Sequence, residues 1–269
     1  MPELPEVETT RRGLSPHLQN RRLTHIVIRQ PRLRWPVSEQ LFHLKQEPVL
    51  QLQRRAKYLL LSVPSGAIVL HLGMSGTLRV VPEGTPLRTH DHVDICLDSG
   101  QVVRFNDPRR FGCVLFQPQG ETLSQLQGMG PEPLTESFNG DWLYERSRGR
   151  GVAVKNFIMS NAVVVGVGNI YAQESLFLAG IHPSRAAGNI SRQRYERLAD
   201  TIKAVLGRAI DAGGTTLRDF SNTAGKPGYF AQQLNVYGRG GLPCVRCGAR
   251  LKAVRHGQRS TSYCGRCQR

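Results

Sequence analysis

The sequence predicts an α+β protein, with a helix and a β-sandwich or β-barrel first, then a helical region and a small metal-binding ribbon. Three observations predict this class. Short runs of Val, Ile and Leu, interrupted by Pro, Gly and Asp, fill residues 23–116. Apolar residues change to helical spacing after Gly120, and four cysteines near the end form two Cys-x-x-Cys pairs. A chain of 269 residues can form one large or two ordinary domains with real cores.

The first predicted element is a helix over residues 5–17. Val7, Leu14 and Leu18 fall on one side of this helix, and charged residues fall on the other. Strand-like runs follow near residues 23–29, 48–53, 57–63, 67–72, 77–81, 92–98, 101–105 and 113–116. Many short strands at this spacing indicate a sandwich or a barrel.

Two helices and one loop are predicted in the second half. The segment ERLADTIKAVLGRAIDAGG ends at a glycine and places apolar residues at helical spacing, namely Leu198, Ile202, Val205, Leu206 and Ile210. A shorter helix covers residues 169–179, with Asn169 as its N-cap. Gly166 and Gly168 precede it, either as plain turn residues or to let a phosphate approach the free N–H groups of the helix. The segment GGTTLRDFSNTAGKPG, residues 213–228, predicts a mobile loop.

The charge of the chain indicates a polyanionic partner. Lys and Arg number 36 against 20 Asp and Glu, which gives a formal net charge of +16. Nucleic acid, an anionic membrane surface and an RNA–protein assembly all fit this charge. A membrane span and a signal peptide are not expected, because no apolar run approaches 18 residues and the N-terminus is acidic. The sequence therefore predicts a cytoplasmic protein.

The cysteines form two groups. The first group, Cys96 and Cys113, lies in strand-like stretches and predicts buried, inert thiols. The second group has the spacing of a four-cysteine zinc site and comprises Cys244, Cys247, Cys264 and Cys267. Two disulfides are the alternative, but nothing in the sequence indicates secretion. Four thiolates complete a tetrahedral site, so His256, between the pairs, is interpreted as a surface residue.

The segment NDPRRFG carries Arg109, Arg110 and Phe111 between turn residues. Apolar side chains that insert between base steps are a known device for unstacking DNA, and this loop has that composition. The alternative is a solvated turn in which Phe111 folds back on the core. Lys57, in RRAKYLLL, is either a solvated strand end or an ammonium at the mouth of a cleft.

The opening stretch, MPELPEVETT, also allows two interpretations. Removal of Met1 would expose Pro2 as a secondary amine, and an α-amino group has a pKa of about 8, so part of it is unprotonated at neutral pH. Such an amine can attack a sugar aldehyde carbon to form an iminium ion, with Glu3 as a general acid. Alternatively, Pro2 is the first residue of a helix, and the glutamates favour the helix dipole.

Taken together, these motifs resemble the bacterial formamidopyrimidine-DNA glycosylases, which are also 8-oxoguanine-DNA glycosylases. The resemblance covers nearly the whole chain, through PELPEVE, RRAKYLLL, HLGMSG, HDHVD, DPRRFG, GVGNIYAQES, GKPGYFAQ and the cysteine ribbon. The combination of the N-terminal motif with a terminal four-cysteine ribbon is highly specific. The endonuclease VIII family, which acts on oxidised pyrimidines, is similar but typically has glycine in place of Leu4 and lacks the Met and Arg wedge.

The resemblance implies a role for individual residues. Pro2 is the nucleophile at C1′, Glu3 assists ring opening, Lys57 serves β-elimination, and Arg259 binds phosphate and supports δ-elimination. The gap left by the extruded nucleotide is filled by Met74, Arg109 and Phe111. DNA contacts are implied for His90, Arg109, Arg150, Lys155 and Asn169. The loop 217–228 closes over the flipped base.

The resemblance also implies an architecture and partners. Residues 2–120 form a helix on a two-layer catalytic β-sandwich, residues 121–235 a helix-two-turn-helix domain with the lesion-capping loop, and residues 236–269 a zinc ribbon. DNA lies in a basic cleft between the domains. One structural Zn²⁺ is expected and no nucleotide or redox cofactor. The expected partner is double-stranded DNA with oxidised purines or abasic sites, bound by a monomer associated with the bacterial nucleoid.

The chain departs from the family pattern at two positions, and two alternative functions also fit its sequence. Asn156 stands where the family has proline and Ala162 where a polar residue is common, which affects the expected local helix geometry rather than the chemistry. One alternative is the same chemistry on oxidised pyrimidines. The other is a non-catalytic zinc-ribbon protein that binds nucleic acid, which would have no use for a free Pro2.

Overall fold

The structure is a computed structural model that describes residues 2–215 and 233–269. Antiparallel sheets and helices occupy separate parts of the chain, as the sequence predicts for an α+β protein. The contacts divide the chain into two compact units. The first contains residues 2–127 and 212–215, and the second contains residues 128–211 and 233–269. No helix in these described ranges is long and apolar enough to cross a membrane.

The first unit begins with helix α1 (Leu4–Leu18), one residue longer at each end than predicted. Its buried face includes Val7, Leu14 and Leu18, the three apolar residues of the predicted helix. Strand β1 (Arg22–Ile28) follows, and a short 3₁₀ helix (Glu39–His43) lies between it and the remaining strands. Their bounds are β2 (Glu47–Pro48), β3 (Gln51–Arg55), β4 (Tyr58–Val63), β5 (Gly66–His71), β6 (Thr77–Pro82), β7 (Asp91–Leu97), β8 (Gln101–Asn106) and β9 (Cys113–Pro118).

These strands form a two-layer sandwich. One sheet has the order β2-β1-β7-β8-β6 and the other the order β3-β4-β5-β9, and every pair is antiparallel. Side chains of both sheets share one apolar core, including Ile95 and Phe105 from the first sheet and Leu61 and Ile68 from the second. The strand pattern alone allows a sandwich or a barrel, and two separate sheets over a common core confirm the sandwich that the resemblance implies.

The predicted strand at 48–53 is in fact two strands in different sheets. Strand β2 pairs with β1, whereas β3 pairs with β4. Between them, the Val49 N–H donates to the Arg21 carbonyl and the Leu50 N–H to the Ser62 carbonyl, so the chain changes sheets at this point. A single apolar run therefore serves both layers, which its composition cannot reveal.

The second unit is helical and ends in a ribbon. Its helices are α2 (Gly140–Ser147), α3 (Val154–Ile158), α4 (Asn169–Ala179) and α5 (Arg192–Asp211). The apolar residues predicted to line α5 are all buried, and α4 has the predicted bounds. The N-cap of α4 is Gly168, however, so the assignment of Asn169 as N-cap is wrong. Extended backbone at Gly168 makes Asn169 the first helical residue.

The ribbon is a hairpin of β10 (Lys252–His256) and β11 (Arg259–Tyr263). It packs on α4 in a small apolar cluster with Phe177, Val236 and Leu251. The Arg246 guanidinium lies 4.7 Å from the centre of the Phe177 ring, and the Gln268 side-chain amide donates to the Ile181 carbonyl at 2.9 Å. Of the predicted loop 213–228, residues beyond Thr215 lie outside the described part of the chain.

Candidate active site and metal centre

Pro2 is buried and directly precedes Glu3, which is the N-cap of α1. The proline in the first helical turn is Pro5, so the alternative that makes Pro2 the first helix residue is wrong, although Glu6 does lie in the first turn, where it favours the helix dipole. Glu3 and Glu6 form a reciprocal capping box, in which Glu6 Oε2 accepts from the Glu3 N–H at 2.7 Å. Both carboxylates are buried. The capping box therefore fixes the backbone that immediately follows Pro2.

Glu6 has a second partner, which the sequence interpretation missed. Its Oε1 accepts from the Thr215 N–H at 2.8 Å. A Cβ on Gly214 would lie 3.2 Å from Glu6 Oε1, and Gly214 has a φ of +83°, so glycine is favoured at this close approach. Glu6 thus joins the first helical turn to the segment that leads into residue 216. The Glu-x-x-Glu spacing of a capping box was the available signal.

Lys57 lies in the turn between β3 and β4 and is half-buried. Arg54, three residues earlier in β3, connects this turn to α1. Its Nε donates to Glu8 Oε2 at 3.3 Å, and its Nη1 donates to the Ala56 carbonyl at 2.9 Å. Glu8 also pairs with Arg11, and these contacts hold its pKa below the ordinary value in spite of burial, which acts to raise it. The turn with Lys57 is therefore tied to the helix that follows Pro2.

His71, at the end of β5, is a further residue that sequence reasoning missed. Its pKa is lowered to about 4, first by burial and then by the charges of Lys57 and Arg34. The Gly73 N–H donates to His71 Nδ1 at 2.9 Å, which requires that nitrogen to be unprotonated. The ring packs 4.6 Å from the Tyr58 ring. A neutral imidazole therefore stands beside the Lys57 ammonium.

An open pocket of about 560 Å³ surrounds this histidine and includes two of the predicted wedge residues. It is lined by Leu33, Arg34, His71, Gly73, Met74, Arg110 and Phe111. Phe111 is 44% exposed, and the Arg109 guanidinium lies 4.9 Å from the centre of its ring. Phe111 does not fold back on the core, so the solvated-turn alternative with a buried ring is wrong.

Asp107 holds the loop that presents Arg109 and Phe111. It is completely buried, its Oδ1 accepts from Ser75 Oγ at 2.7 Å, and its Oδ2 accepts from the Gly112 N–H at 2.8 Å. Ser75 Oγ also accepts from the Arg109 N–H at 3.2 Å. Since Ser75 follows Met74, one buried carboxylate fixes the Met74 loop and the Arg109 loop together.

The backbone of Asp107 also contacts His90, so His90 lies at the same end of the sandwich as the Met74 and Arg109 loops. The Asp107 N–H donates to the His90 carbonyl at 3.1 Å, and His90 is exposed with a φ of 74°. Thr77 and Asp91 are both register partners of Asn106, so the loops before β6 and β7 and after β8 emerge together. The sequence-predicted residues Met74, His90, Arg109 and Phe111 therefore share one end of the first unit.

In the second unit, three predicted residues meet at β11. Lys155 is completely buried and its Nζ donates to Thr261 Oγ1 at 2.7 Å. Asn169 Nδ2 donates to the Ser260 carbonyl at 3.3 Å. Arg259, the first residue of β11, is exposed beside them. The helices α3 and α4 thus hold the strand that carries Arg259.

Gln173, which the sequence interpretation missed, completes this attachment. Its Nε2 donates to the Ser260 carbonyl at 3.1 Å, and its Oε1 accepts from the Ser262 N–H at 2.7 Å. The side chain is buried. A glutamine one turn after Asn169 on the same helix face was the available signal.

Arg150 is exposed and lies on the segment that follows α2. It lines an open pocket of about 460 Å³ together with Asn156 and Ala162, the two residues singled out above as expected departures. Helix α3 continues through Asn156 without interruption. Arg150 is the one predicted DNA-contact residue of the second unit that lies away from β11.

The four cysteines of the ribbon fit a single structural zinc ion. Their Sγ atoms all lie within 4.8 Å of one another, and two of the edges measure 3.9 Å (Cys244–Cys267) and 3.5 Å (Cys247–Cys264). A tetrahedron with Zn–S bonds of about 2.3 Å has edges of about 3.8 Å. Burial acts to raise the pKa of Cys264. Hydrogen bonds, first those from the N–H groups of Cys267 and Arg266, outweigh burial and lower this pKa to about 7. His256 is not part of this cluster.

Glu174 was also missed, and it organises the segment before the ribbon. The buried carboxylate accepts four hydrogen bonds, from the Asn235 N–H and side-chain amide and from the N–H groups of Val236 and Tyr237, at 2.8 to 2.9 Å. It therefore holds the backbone at residues 235–237 against α4. A glutamate within an otherwise apolar helix was the available signal.

Comparison with family models agrees with these two units and the ribbon. Residues 1–114 match the formamidopyrimidine-DNA glycosylase N-terminal domain, and residues 129–221 match the H2TH domain of that glycosylase. Residues 241–269 match a zinc finger found in FPG and IleRS. The predicted fold class and the zinc centre are both confirmed.

Relatives and solved structures match the chain over nearly its full length. The formamidopyrimidine-DNA glycosylases of Alcanivorax borkumensis and Escherichia coli O6:H1 are 68% and 55% identical to it, with 100% of each chain covered. The Fpg structure from Thermus thermophilus has a TM-score of 0.89 at 34% identity, covering 99% of this chain and 98% of that one. A Lactococcus lactis Fpg mutant in complex with Fapy-dG-containing DNA gives 0.91 at 32%, covering 99% of each. The chain therefore belongs to the bacterial formamidopyrimidine-DNA glycosylase family.

Proposed function

We propose that the protein is a bifunctional DNA-repair enzyme, which excises 8-oxoguanine and formamidopyrimidines and then cleaves the strand at the abasic site. The observation that carries this proposal is the N-terminus, where Pro2 precedes a helix whose N-cap and first turn are fixed by the Glu3–Glu6 capping box. The Lactococcus lactis relatives whose structures contain Fapy-dG DNA or abasic-site DNA support the choice of substrate.

Pro2 is the nucleophile in this proposal. Removal of Met1 gives a secondary amine with an ordinary pKa of about 8, so an unprotonated fraction exists at neutral pH. Its nitrogen forms a bond to C1′ as the bond to the damaged base breaks, and Glu3 supplies a proton as the sugar ring opens. The product is an iminium ion. Its positive charge acidifies C2′, so that the 3′ phosphate and then the 5′ phosphate leave by elimination.

Lys57 and Arg259 act on these later steps. Lys57 is held near α1 through Arg54 and Glu8, and it serves β-elimination at C2′. Arg259 lies exposed on β11 and binds the phosphate that leaves by δ-elimination. No nucleotide or redox cofactor takes part in this scheme. The zinc ion has a structural role, because it maintains the fold of the hairpin that carries Arg259.

The damaged nucleotide has to leave the base stack, since neither C1′ nor the base edge is accessible within it. Met74, Arg109 and Phe111 fill the resulting gap, and the shared support by Asp107 favours their joint insertion. His90, Arg150 and Asn169 contact the DNA backbone. The ammonium of Lys155 is buried on Thr261, which favours a role in positioning β11 over a direct phosphate contact.

The proposed domain division assigns residues 2–120 to the catalytic sandwich, 121–235 to the helix-two-turn-helix domain with its lesion-capping loop, and 236–269 to the ribbon. The protein works as a monomer on chromosomal DNA in the bacterial cytoplasm. Its partner is double-stranded DNA that contains oxidised purines or abasic sites, and the net charge of +16 favours that partner.

Cleavage of defined duplexes tests this function. The protein is incubated with duplexes that contain either 8-oxoguanine or thymine glycol, and the strand ends are analysed. We expect preferential cleavage at 8-oxoguanine, with phosphates at both ends of a one-nucleotide gap, as β,δ-elimination requires. A preference for thymine glycol would favour the pyrimidine-specific alternative. Tight binding without any cleavage would indicate a non-catalytic DNA-binding protein.

A further inference from the structure

A second group of metal-binding side chains lies in the first unit, far along the chain from the cysteine ribbon. His25 in β1, Glu83 after β6 and Cys96 in β7 each offer one ligand atom, and these three atoms all lie within 4.8 Å of one another. We propose that they form a binding site for a divalent transition-metal ion of the zinc type. Water would occupy the remaining coordination position.

A β-bulge in β1 creates this arrangement. Leu23 pairs with Leu97, but His25 pairs with Cys96, so the register shifts by one residue at Thr24. Without the shift, the residue opposite Cys96 would be Thr24. Residues directly opposite in an antiparallel pair have Cβ atoms about 5 Å apart and point to the same face. The bulge therefore places an imidazole beside a thiol that the regular ladder would have kept apart.

The three side chains are held by contacts that suit a metal site. His25 Nδ1 lies 3.1 Å from Thr24 Oγ1, and donation from Nδ1–H to that oxygen leaves the Nε2 lone pair for a metal. The Glu83 N–H donates to the Gly100 carbonyl at 2.8 Å, which fixes the backbone of the third ligand. Cys96 is only 3% exposed and lies within the sheet. Imidazole, thiolate and carboxylate together are ligands that zinc accepts.

Glu83 is the carboxylate of this cluster that is available to a metal ion. Within the described part of the chain, Glu83 forms no ion pair. Asp94, the other carboxylate near Cys96, is already paired with Arg29 at 2.6 Å and with Arg104 at 2.8 Å. Binding of the metal releases the proton of the Cys96 thiol and leaves a thiolate as the ligand.

The site lies at the opposite end of the sheet from the loop that carries Arg109. Cys96 pairs with Val102, whereas that loop follows Asn106 at the other end of β8. Four residues of strand correspond to about 14 Å. Substitutions at Cys96 or His25 are therefore expected to leave the excision activity unchanged, so the metal site and the proposed function can be tested separately.

Equilibrium dialysis of the full-length, zinc-loaded protein against free Zn²⁺ tests the proposal. The expected stoichiometry is two zinc ions per chain, falling to one in Cys96→Ser and in His25→Gln. Cys113→Ser, which alters a buried thiol outside the trio, should retain two. Cobalt added to protein whose four-cysteine centre already holds zinc should produce a thiolate-to-cobalt absorption band, and Cys96→Ser treated in the same way should lack it.

One zinc per chain in the unmodified protein would overturn the proposal, and so would equal stoichiometry in the unmodified protein and Cys96→Ser. If Cys96→Ser does not fold, the zinc stoichiometry of His25→Gln still tests the proposal. His25 is exposed, and its variant has to lose the second zinc ion. Circular dichroism and thermal unfolding of each variant verify its fold.

Discussion

Burial and two neighbouring cations keep His71 uncharged at neutral pH. Its pKa is lowered to about 4 in the folded protein, whereas an unfolded chain has the ordinary value near 6.5. Between these values the unfolded state binds more protons, so this residue's contribution to stability is complete above about pH 6.5 and is lost as the pH falls through 4. Acidification from pH 7 to 4.5 should cost about 2 kcal/mol through His71.

The variant His71→Asn tests this linkage. Its free energy of unfolding, measured in urea at several pH values, should fall by about 2 kcal/mol less than that of the unmodified protein between pH 7 and 4.5. His43→Gln is the matched control at an exposed histidine and should follow the unmodified profile. Parallel profiles for all three proteins would show that His71 is not the group that titrates.

Arg109 is expected to read the base that remains after extrusion of the lesion. Arginine has only donors, and cytosine presents N3 and O2 as adjacent acceptors, whereas adenine presents N1 beside an N6 donor. A good bidentate contact favours the correct base over a wrong one by roughly 1–3 kcal/mol, which is about a ten- to a hundredfold difference in affinity. Excision of 8-oxoguanine should therefore be faster opposite cytosine than opposite adenine by about this factor.

The variant Arg109→Ala should reduce this preference, and the neighbouring exposed Arg110→Ala should retain it. The measurement is single-turnover excision from the two duplexes. Arg109→Ala is also expected to lower the overall activity, since the side chain packs over Phe111. An unchanged cytosine-to-adenine ratio would exclude Arg109 as the residue that reads the partner base.

Helix α4 supports both the ribbon and the segment that precedes the ribbon. Glu174 accepts three backbone N–H groups and one side-chain amide, whereas glutamine has only one acceptor oxygen and would direct its own NH₂ at donors. Leaving buried groups unpaired costs about 1–3 kcal/mol each. Glu174→Gln should therefore lower the free energy of unfolding of the second unit by about 2–4 kcal/mol.

Denaturant unfolding of the zinc-loaded protein measures this change. Glu145→Gln, at an exposed position in α2, is the matched control and should alter stability by less than about 0.5 kcal/mol. A Glu174→Gln protein as stable as this control would mean that the carboxylate does not hold residues 235–237 in place.

The elements that sequence predicts best are those with long or repeated patterns. Helix α5 buries an apolar face of regular spacing, and the strands of the sandwich recur with turn residues between them. Helices α2 and α3 have eight and five residues, too few to show a helical period. The division of the run at 48–53 between two sheets depends on pairing partners, which a local pattern does not contain.

The residues of the candidate site also differ in how well the sequence predicts them. Residues with a distinctive chemistry or spacing, such as Pro2, Lys57 and the cysteine pairs, could be selected from the sequence. Glu6, Glu174 and Gln173 have only weak local signals, because their importance comes from buried hydrogen bonds to backbone groups far along the chain. The buried position of Lys155 likewise follows from the packing of the ribbon.

For the whole molecule, the net charge of +16 predicts strongly salt-dependent binding to DNA. Each phosphate neutralised by Lys or Arg contributes about −0.9 to the slope of log K against log salt concentration. With roughly four to six such contacts, affinity should fall on the order of 10²- to 10³-fold between 50 and 200 mM salt. Fluorescence anisotropy with a lesion duplex measures this slope.

The exposed Arg150 provides a matched pair of variants. Arg150→Ala should make the slope less steep by about 0.9, whereas Arg150→Lys keeps the charge and should leave it unchanged. A salt-independent affinity in the unmodified protein would mean that its charge serves a partner other than DNA.

Borohydride trapping shows directly whether Pro2 forms the covalent bond to the sugar. Sodium borohydride reduces the iminium ion to a stable amine, so the protein becomes linked to a duplex that contains 8-oxoguanine. Peptide mass spectrometry should locate the adduct on Pro2 with Met1 removed, and Lys57→Ala should give the same adduct. An adduct on Lys57 in the unmodified protein, or active protein that retains Met1, would exclude Pro2 as the nucleophile.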